Sequence, residues 1–90
     1  MLSLQTTAQY RRDRKLAIKR GLRMNLLDDV IQTLIEEKAL APKYRDHALK
    51  GDYEGFRECH VQPDWLFIYA IDRGSLILVA TRTGTHSDLF

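Results

Sequence analysis

Apolar residues recur at intervals of three and four in one stretch above all others, Leu27, Val30, Ile31, Leu34 and Ile35. That spacing puts them on one side of a helix and predicts packing rather than chemistry. Asn25, with Asp28 three residues on, predicts a capping-box-like start. Upstream, Tyr10, Ala17, Ile18 and Leu22 form a thinner stripe. It predicts a helix capped by Thr6 or Thr7, running to Arg20 and stopped by Gly21. The short turn between the two helices predicts an antiparallel hairpin. Leu2 and Leu4 alternate with polar neighbours, as in a short strand. Leu40 to Asp52 reads as a long connection, of the kind that often carries function.

The pattern changes after Gly51. Tyr53 to His60 alternates, with Phe56, Glu58 and His60 on one face and Arg57, Cys59 and Val61 on the other. Trp65 to Ile71 is continuously apolar, which predicts a central strand covered on both faces. Leu76 to Arg82 reads as a third strand. Pro63-Asp64 and Asp72-Arg73-Gly74-Ser75 supply the turns, with Gly74 expected to take a positive φ. Short links imply an antiparallel meander. The fold class expected is α+β, in the order β-α-α-β-β-β, with an antiparallel sheet packed on an N-terminal helical hairpin.

Composition and charge add to this picture. Ninety residues predict one domain, 1–90. No apolar run approaches the roughly 20 residues of a membrane helix, and no signal-peptide pattern opens the chain. With a single cysteine, Cys59, an internal disulfide is excluded. A cytoplasmic protein without membrane partners is the expectation. The net charge is only +2, but seven of the 14 basic residues and one of the 12 acids fall before Met24. The cations include Arg11, Arg12, Arg14 and Lys15; the acid is Asp13. Such a cluster suits a polyanion such as RNA, or equally a solvated helix face.

The candidate chemistry lies in two segments, Phe56 to Trp65 and Arg82 to Phe90. In a meander, the first and third strands run the same way. His60 and Arg82 therefore fall at one sheet edge, about 10 Å apart, with Asp64 and Trp65 in the turn beside them. Gly84 lets the tail return His86 and Phe90. Histidines suit proton transfer near neutral pH. Arginine suits a phosphate, and Trp65 or Phe90 suits stacking on a base. Together they fit RNA phosphodiester cleavage by the neighbouring 2′-hydroxyl, with no metal or other cofactor needed. Each residue also has a plainer reading: His60 bonded to a carbonyl, Arg82 paired with Asp64, Trp65 in the core, His86 and Phe90 in a frayed tail. A metal site from His47, Cys59, His60 and His86 matches no zinc spacing.

Three motifs, in this order and spacing, carry a family resemblance over nearly the whole chain. They are Tyr44-Arg45-Asp46-His47-Ala48-Leu49-Lys50-Gly51, Gly55-Phe56-Arg57-Glu58-Cys59-His60-Val61-Gln62-Pro63-Asp64-Trp65 with Ile68-Tyr69 beyond, and Arg82-Thr83-Gly84-Thr85-His86-Ser87-Asp88-Leu89-Phe90. The chain resembles the YafQ-type toxins of the RelE/ParE superfamily. The resemblance implies a RelE-like fold and a ribosome-dependent mRNA endonuclease of a type II toxin–antitoxin pair. It implies cleavage in the ribosomal A site, leaving a 2′,3′-cyclic phosphate and a 5′-hydroxyl. It implies a cognate antitoxin, the ribosome and mRNA as partners. Carried over by motif position, the functional residues are His47, Glu58, His60, Asp64, Trp65, Arg82, His86 and Phe90. The family often has aspartate where Glu58 stands. Expected roles are His86 as general acid and His60 or His47 as base, oriented by Glu58 or Asp64. Arg82 is expected on the phosphate, Trp65 and Phe90 on the nucleotide, and the basic helix on ribosomal RNA. A non-cleaving translation inhibitor, a gyrase-directed module and a weak ribosome-independent ribonuclease are the alternatives.

Overall fold

The computed structural model describes all 90 residues, Met1 to Phe90. The elements are β1 Ser3–Thr6, α1 Ala8–Lys19, α2 Met24–Ile35, β2 His47–Ala48, β3 Arg57–Gln62, β4 Trp65–Asp72, β5 Ile77–Gly84 and α3 His86–Leu89. The fold is α+β. The meander β3-β4-β5 is antiparallel as expected, and the sheet order is β1-β5-β4-β3-β2. β1 adds in parallel to β5, so the sheet is mixed. Parallel neighbours need a long crossover, and here everything from α1 through β4 lies between them.

α1 begins where Thr7 accepts a hydrogen bond from the Tyr10 N–H at 2.9 Å, and Gly21, at φ +75°, follows its end. α2 starts one residue before the expected Asn25, behind Arg23, without a side-chain cap. Asp28 does not close a capping box. It pairs with Arg14 of α1 at 3.1 Å and ties the helices together. The long connection is not structureless. Single 3₁₀ turns at Pro42–Tyr44 and Gly51–Tyr53 flank β2, which pairs His47 with Glu58. In the β4–β5 hairpin the left-handed residue is Leu76, at φ +55°, rather than Gly74. Asp72 closes that turn by accepting from the Ser75 N–H.

The helix-side face of the sheet holds the main core. Leu27, Val30, Ile31 and Leu34 of α2 meet Tyr10, Cys59, Val61, Trp65, Phe67 and Tyr69. Each such side chain contributes roughly 1.5–3 kcal/mol on burial. Phe67 stacks on Tyr69 and takes the edge of Tyr10. The opposite face buries Leu66, Ile68 and Leu89 under Leu49, Tyr53 and Phe56. β4 is therefore apolar throughout because it is covered on both faces. No helix is long and apolar enough to cross a membrane.

Candidate active site

The sheet register builds the site. One rung runs His47, Glu58, Ile68, Arg82 across β2, β3, β4 and β5. The next pairs His60 with Leu66, which faces Gly84. Directly opposed residues share a face, so His47, Glu58, His60 and Arg82 all rise from the face away from the helices. α3 closes one side of this surface by burying Leu89 against Leu66 and Ile68. It thereby brings in the third histidine. The ring centroids of His47 and His60 lie 6.5 Å apart, and those of His60 and His86 lie 5.8 Å apart.

Each imidazole is oriented through its Nδ1. His47 Nδ1 lies 2.7 Å from the Arg45 carbonyl, and His60 Nδ1 lies 3.2 Å from the Pro63 carbonyl. A carbonyl only accepts, so Nδ1 is the donor in both rings and Nε2 is the atom left to exchange a proton. Those two Nε2 atoms each lie 3.7 Å from the same oxygen of Glu58. Glu58 is 5% exposed, and its carboxylate lies beside both imidazoles. An imidazole that takes a proton here gains a carboxylate beside it. His86 differs: its Nδ1 lies 2.7 Å from Asp64 Oδ1, which also accepts the His86 backbone N–H at 3.0 Å. Those bonds hold the Asp64 carboxyl below the ordinary aspartate range. Asp64 holds the ring through Nδ1, and Nε2 of this exposed side chain makes no hydrogen bond. Asp64 thus orients His86, the expected acid, rather than either expected base.

Arg82 is anchored to Asp13, not to the alternative partner Asp64. Its Nε and Nη2 donate to the Asp13 carboxylate at 2.9 and 3.0 Å, leaving Nη1 free of Asp13, with Tyr53 the other side chain close enough to act on the guanidinium. Asp13 also accepts from Gln9 and from the Thr83 N–H. Burial alone would raise its carboxyl; the Arg82, Gln9 and Thr83 donors outweigh that and lower it. The lone acid of the basic segment therefore fixes the guanidinium plane. The two-pronged phosphate grip expected of Arg82 is occupied internally, and one nitrogen edge is left for an anion.

Trp65 is corrected from nucleotide platform to core. It is 2% exposed, and its Nε1–H donates to Thr83 Oγ1 at 2.9 Å. Thr83 in turn donates to the Leu66 carbonyl. A buried indole with its one donor engaged cannot stack on a base. Phe90 is exposed, and Tyr53 stands edge-on to it with centroids 5.6 Å apart. Tyr53, like Asp13, escaped the sequence reading; its signal was an aromatic in the loop between the first two motifs.

The expected basic surface is divided. Arg11 and Arg14 line a groove with Leu4, Asp28 and Ile35, whereas Asp13 and Arg20 line the side of α1 facing Arg82. Arg14 is paired with Asp28, and Arg11 donates to Thr6. Arg12 bonds Gln9, and Lys15 has no ion pair. The groove pair Arg11 and Arg14 is thus separate from the histidine edge. Arg20 grips Asp88 of α3 at 2.6 Å. Asp88 completes a capping box with Thr85 and lies so close to Gly84 that a Cβ there would meet it at 2.9 Å.

No three His, Cys, Asp or Glu side chains are grouped to hold a metal ion. Cys59 is on the opposite face from His60, in the core, where burial pushes its thiol up to about 12. The chemistry these side chains can perform is proton transfer beside fixed charges.

Comparison with known proteins agrees over the whole chain. The family model described as "Bacterial toxin of type II toxin-antitoxin system, YafQ" matches residues 2–90. The mRNA interferase toxin YafQ of Escherichia coli K12 is 41% identical over 88 residues, 97% of this chain and 94% of that protein. A metal-bound toxin from Helicobacter pylori superposes with a TM-score of 0.95 at 43% identity, covering 100% of both chains. YafQ in the E. coli DinJ–YafQ toxin–antitoxin complex superposes at 0.90 with 40% identity, covering 99% of this chain and 97% of that one. The chain belongs to the YafQ family of type II toxin–antitoxin toxins.

Proposed function

We propose that this chain is an endoribonuclease, an mRNA interferase that cuts mRNA in the ribosomal A site by 2′-hydroxyl attack. The observation that carries the reading is the convergence of all three histidines on one edge, each held through Nδ1 with Nε2 left to exchange protons. His60 or His47 removes the 2′-hydroxyl proton, and Glu58 stabilises the imidazolium that forms. The 2′-oxygen attacks phosphorus. The Nη1 edge of Arg82 meets the dianionic phosphorane. His86, protonated beside Asp64, gives its proton to the departing 5′-oxygen. The products are a 2′,3′-cyclic phosphate and a 5′-hydroxyl. The nucleophile belongs to the substrate, so side chains alone carry the steps. Phe90, with Tyr53 behind it, holds a base.

The exposed cations Arg11, Arg12 and Lys15 meet ribosomal RNA, which places the action in the cytoplasm. A cognate antitoxin is the second partner, as DinJ is for the E. coli relative. Purified protein added to ribosomes translating a defined mRNA tests the reading. New 5′-hydroxyl ends at in-frame positions are expected from wild type, forming about 10²–10⁴-fold more slowly with His86→Ala. Translation arrest without new ends would mean occupancy instead of cleavage.

A further inference from the structure

The histidine edge does not end at His60. A groove continues from it, lined by Leu26 of α2, Lys43, Tyr44, Arg45, Val61 and Pro63. We infer that this groove is a binding site for the RNA nucleotide flanking the scissile phosphate, its phosphate met by Lys43 and Arg45. The inference rests on the nuclease reading and adds to it a place where the strand leaves the histidine edge.

Arg14, Arg20, Arg57 and Arg82 each pair with a carboxylate, whereas Lys43 and Arg45 pair with none. Both are exposed at the groove rim, Lys43 over the Tyr44 ring at 5.1 Å. Arg45 sits at φ +49°, turning the chain so that its carbonyl receives His47 Nδ1. The same residue thus orients a candidate base and carries a free cation next to it. An apolar floor of Leu26, Tyr44 and Pro63 beneath a basic rim suits a base over its phosphate, the combination that binds single strands without sequence choice. On the far flank the exposed Phe90 has Tyr53 edge-on to it. A strand gripped at its scissile phosphate between His60 and His86 leaves the edge on both sides, and each exit offers an aromatic.

The test is binding of an uncleavable 2′-O-methyl RNA hexamer, followed by fluorescence anisotropy from 20 to 200 mM salt (roughly the range over which counterion release is read). Lys43→Ala/Arg45→Ala is compared with Lys38→Ala/Arg73→Ala, which removes equal charge elsewhere. The groove variant is expected to bind about tenfold more weakly, with its log–log salt slope reduced by roughly 0.7 for each lost phosphate contact. The control keeps the wild-type slope. Equal slopes for wild type and groove variant, equal losses in both variants, or no hexamer binding by wild type would each overturn the assignment. So would unchanged hexamer binding with loss of the co-expressed antitoxin, which would give the groove to a protein. Ribosomal cleavage by the same wild-type preparation separates the two claims. If cleavage persists while the groove fails the test, the nuclease reading stands alone; if cleavage is absent, both fall.

Discussion

The two faces of the sheet are held by different forces. The helix-side face is an apolar core of 13 buried residues, while the other buries just three apolar side chains, Leu66, Ile68 and Leu89. Burial gives the first face its stability but no chemistry. The second face is positioned instead by directed contacts: Asp13 on Arg82, Arg20 on Asp88, Asp64 on His86 and the Thr85–Asp88 capping box. Changes on the helix side should therefore lower stability, and changes on the open side should lower activity. A residue whose loss does both marks a point where the faces are joined.

The largest effect belongs to His86→Ala. Loss of a general acid should slow cleavage by about 10²–10⁴-fold, while urea unfolding shifts by no more than about 0.5 kcal/mol, as for an exposed residue. Trp65→Ala is the opposite case. It should cost about 3–5 kcal/mol by the same unfolding measurement, with cleavage per folded molecule largely kept. A stable Trp65→Ala protein that fails to cleave would return the indole to the substrate surface.

Asp13→Ala joins the faces. Removing the partner of Arg82 and the acceptor of the Thr83 N–H should cost about 3 kcal/mol and also slow cleavage. Asp13→Glu, tested in the same two assays, should restore more activity than Asp13→Asn if the guanidinium needs a charged anchor.

Acid sensitivity is a smaller effect. The Asp88 carboxyl is held well below the ordinary range by the Arg20 guanidinium and the Thr85 N–H, and the Asp13 carboxyl is also lowered. A carboxyl lowered on folding stabilises the native state above its unfolded value, near pH 4, and loses that contribution as pH falls toward its native value. Urea midpoints between pH 7 and 3 should therefore fall less steeply for Asp88→Asn than for wild type. The smallest stability effect is expected of Arg11→Glu/Lys15→Glu. Its unfolding should match wild type while ribosome co-sedimentation weakens. Unchanged co-sedimentation would remove α1 from the ribosomal contact.

Period and continuity made the sheet legible in the sequence. Alternation over Phe56 to Val61 assigned faces correctly, and the apolar run from Trp65 identified the doubly covered strand. Local punctuation was less informative because tertiary partners compete for the same groups. Asp28 suits a capping box, yet Arg14 takes it. Gly74 suits a positive φ, yet Leu76 adopts it at an exposed turn. Thr85 and Asp88 carried a capping signal that predicts α3, and the tail reading overlooked it. The least legible feature was Asp13. Its oddity among cations was visible, but its partner lies 69 residues away, beyond any local pattern. Trp65 shows the converse: a motif position marks a residue as needed without saying whether it touches substrate or supports what does.

The central claim is that protons move across this histidine edge to and from the ribose and leaving oxygens. Replacing the single 2′-hydroxyl at the scissile nucleotide with hydrogen, in mRNA programmed into the ribosomal A site, tests it most directly. The account predicts that the all-ribose message yields a 2′,3′-cyclic phosphate and a 5′-hydroxyl, and that the substituted message stays intact. Cleavage of the substituted message at the same position would contradict it.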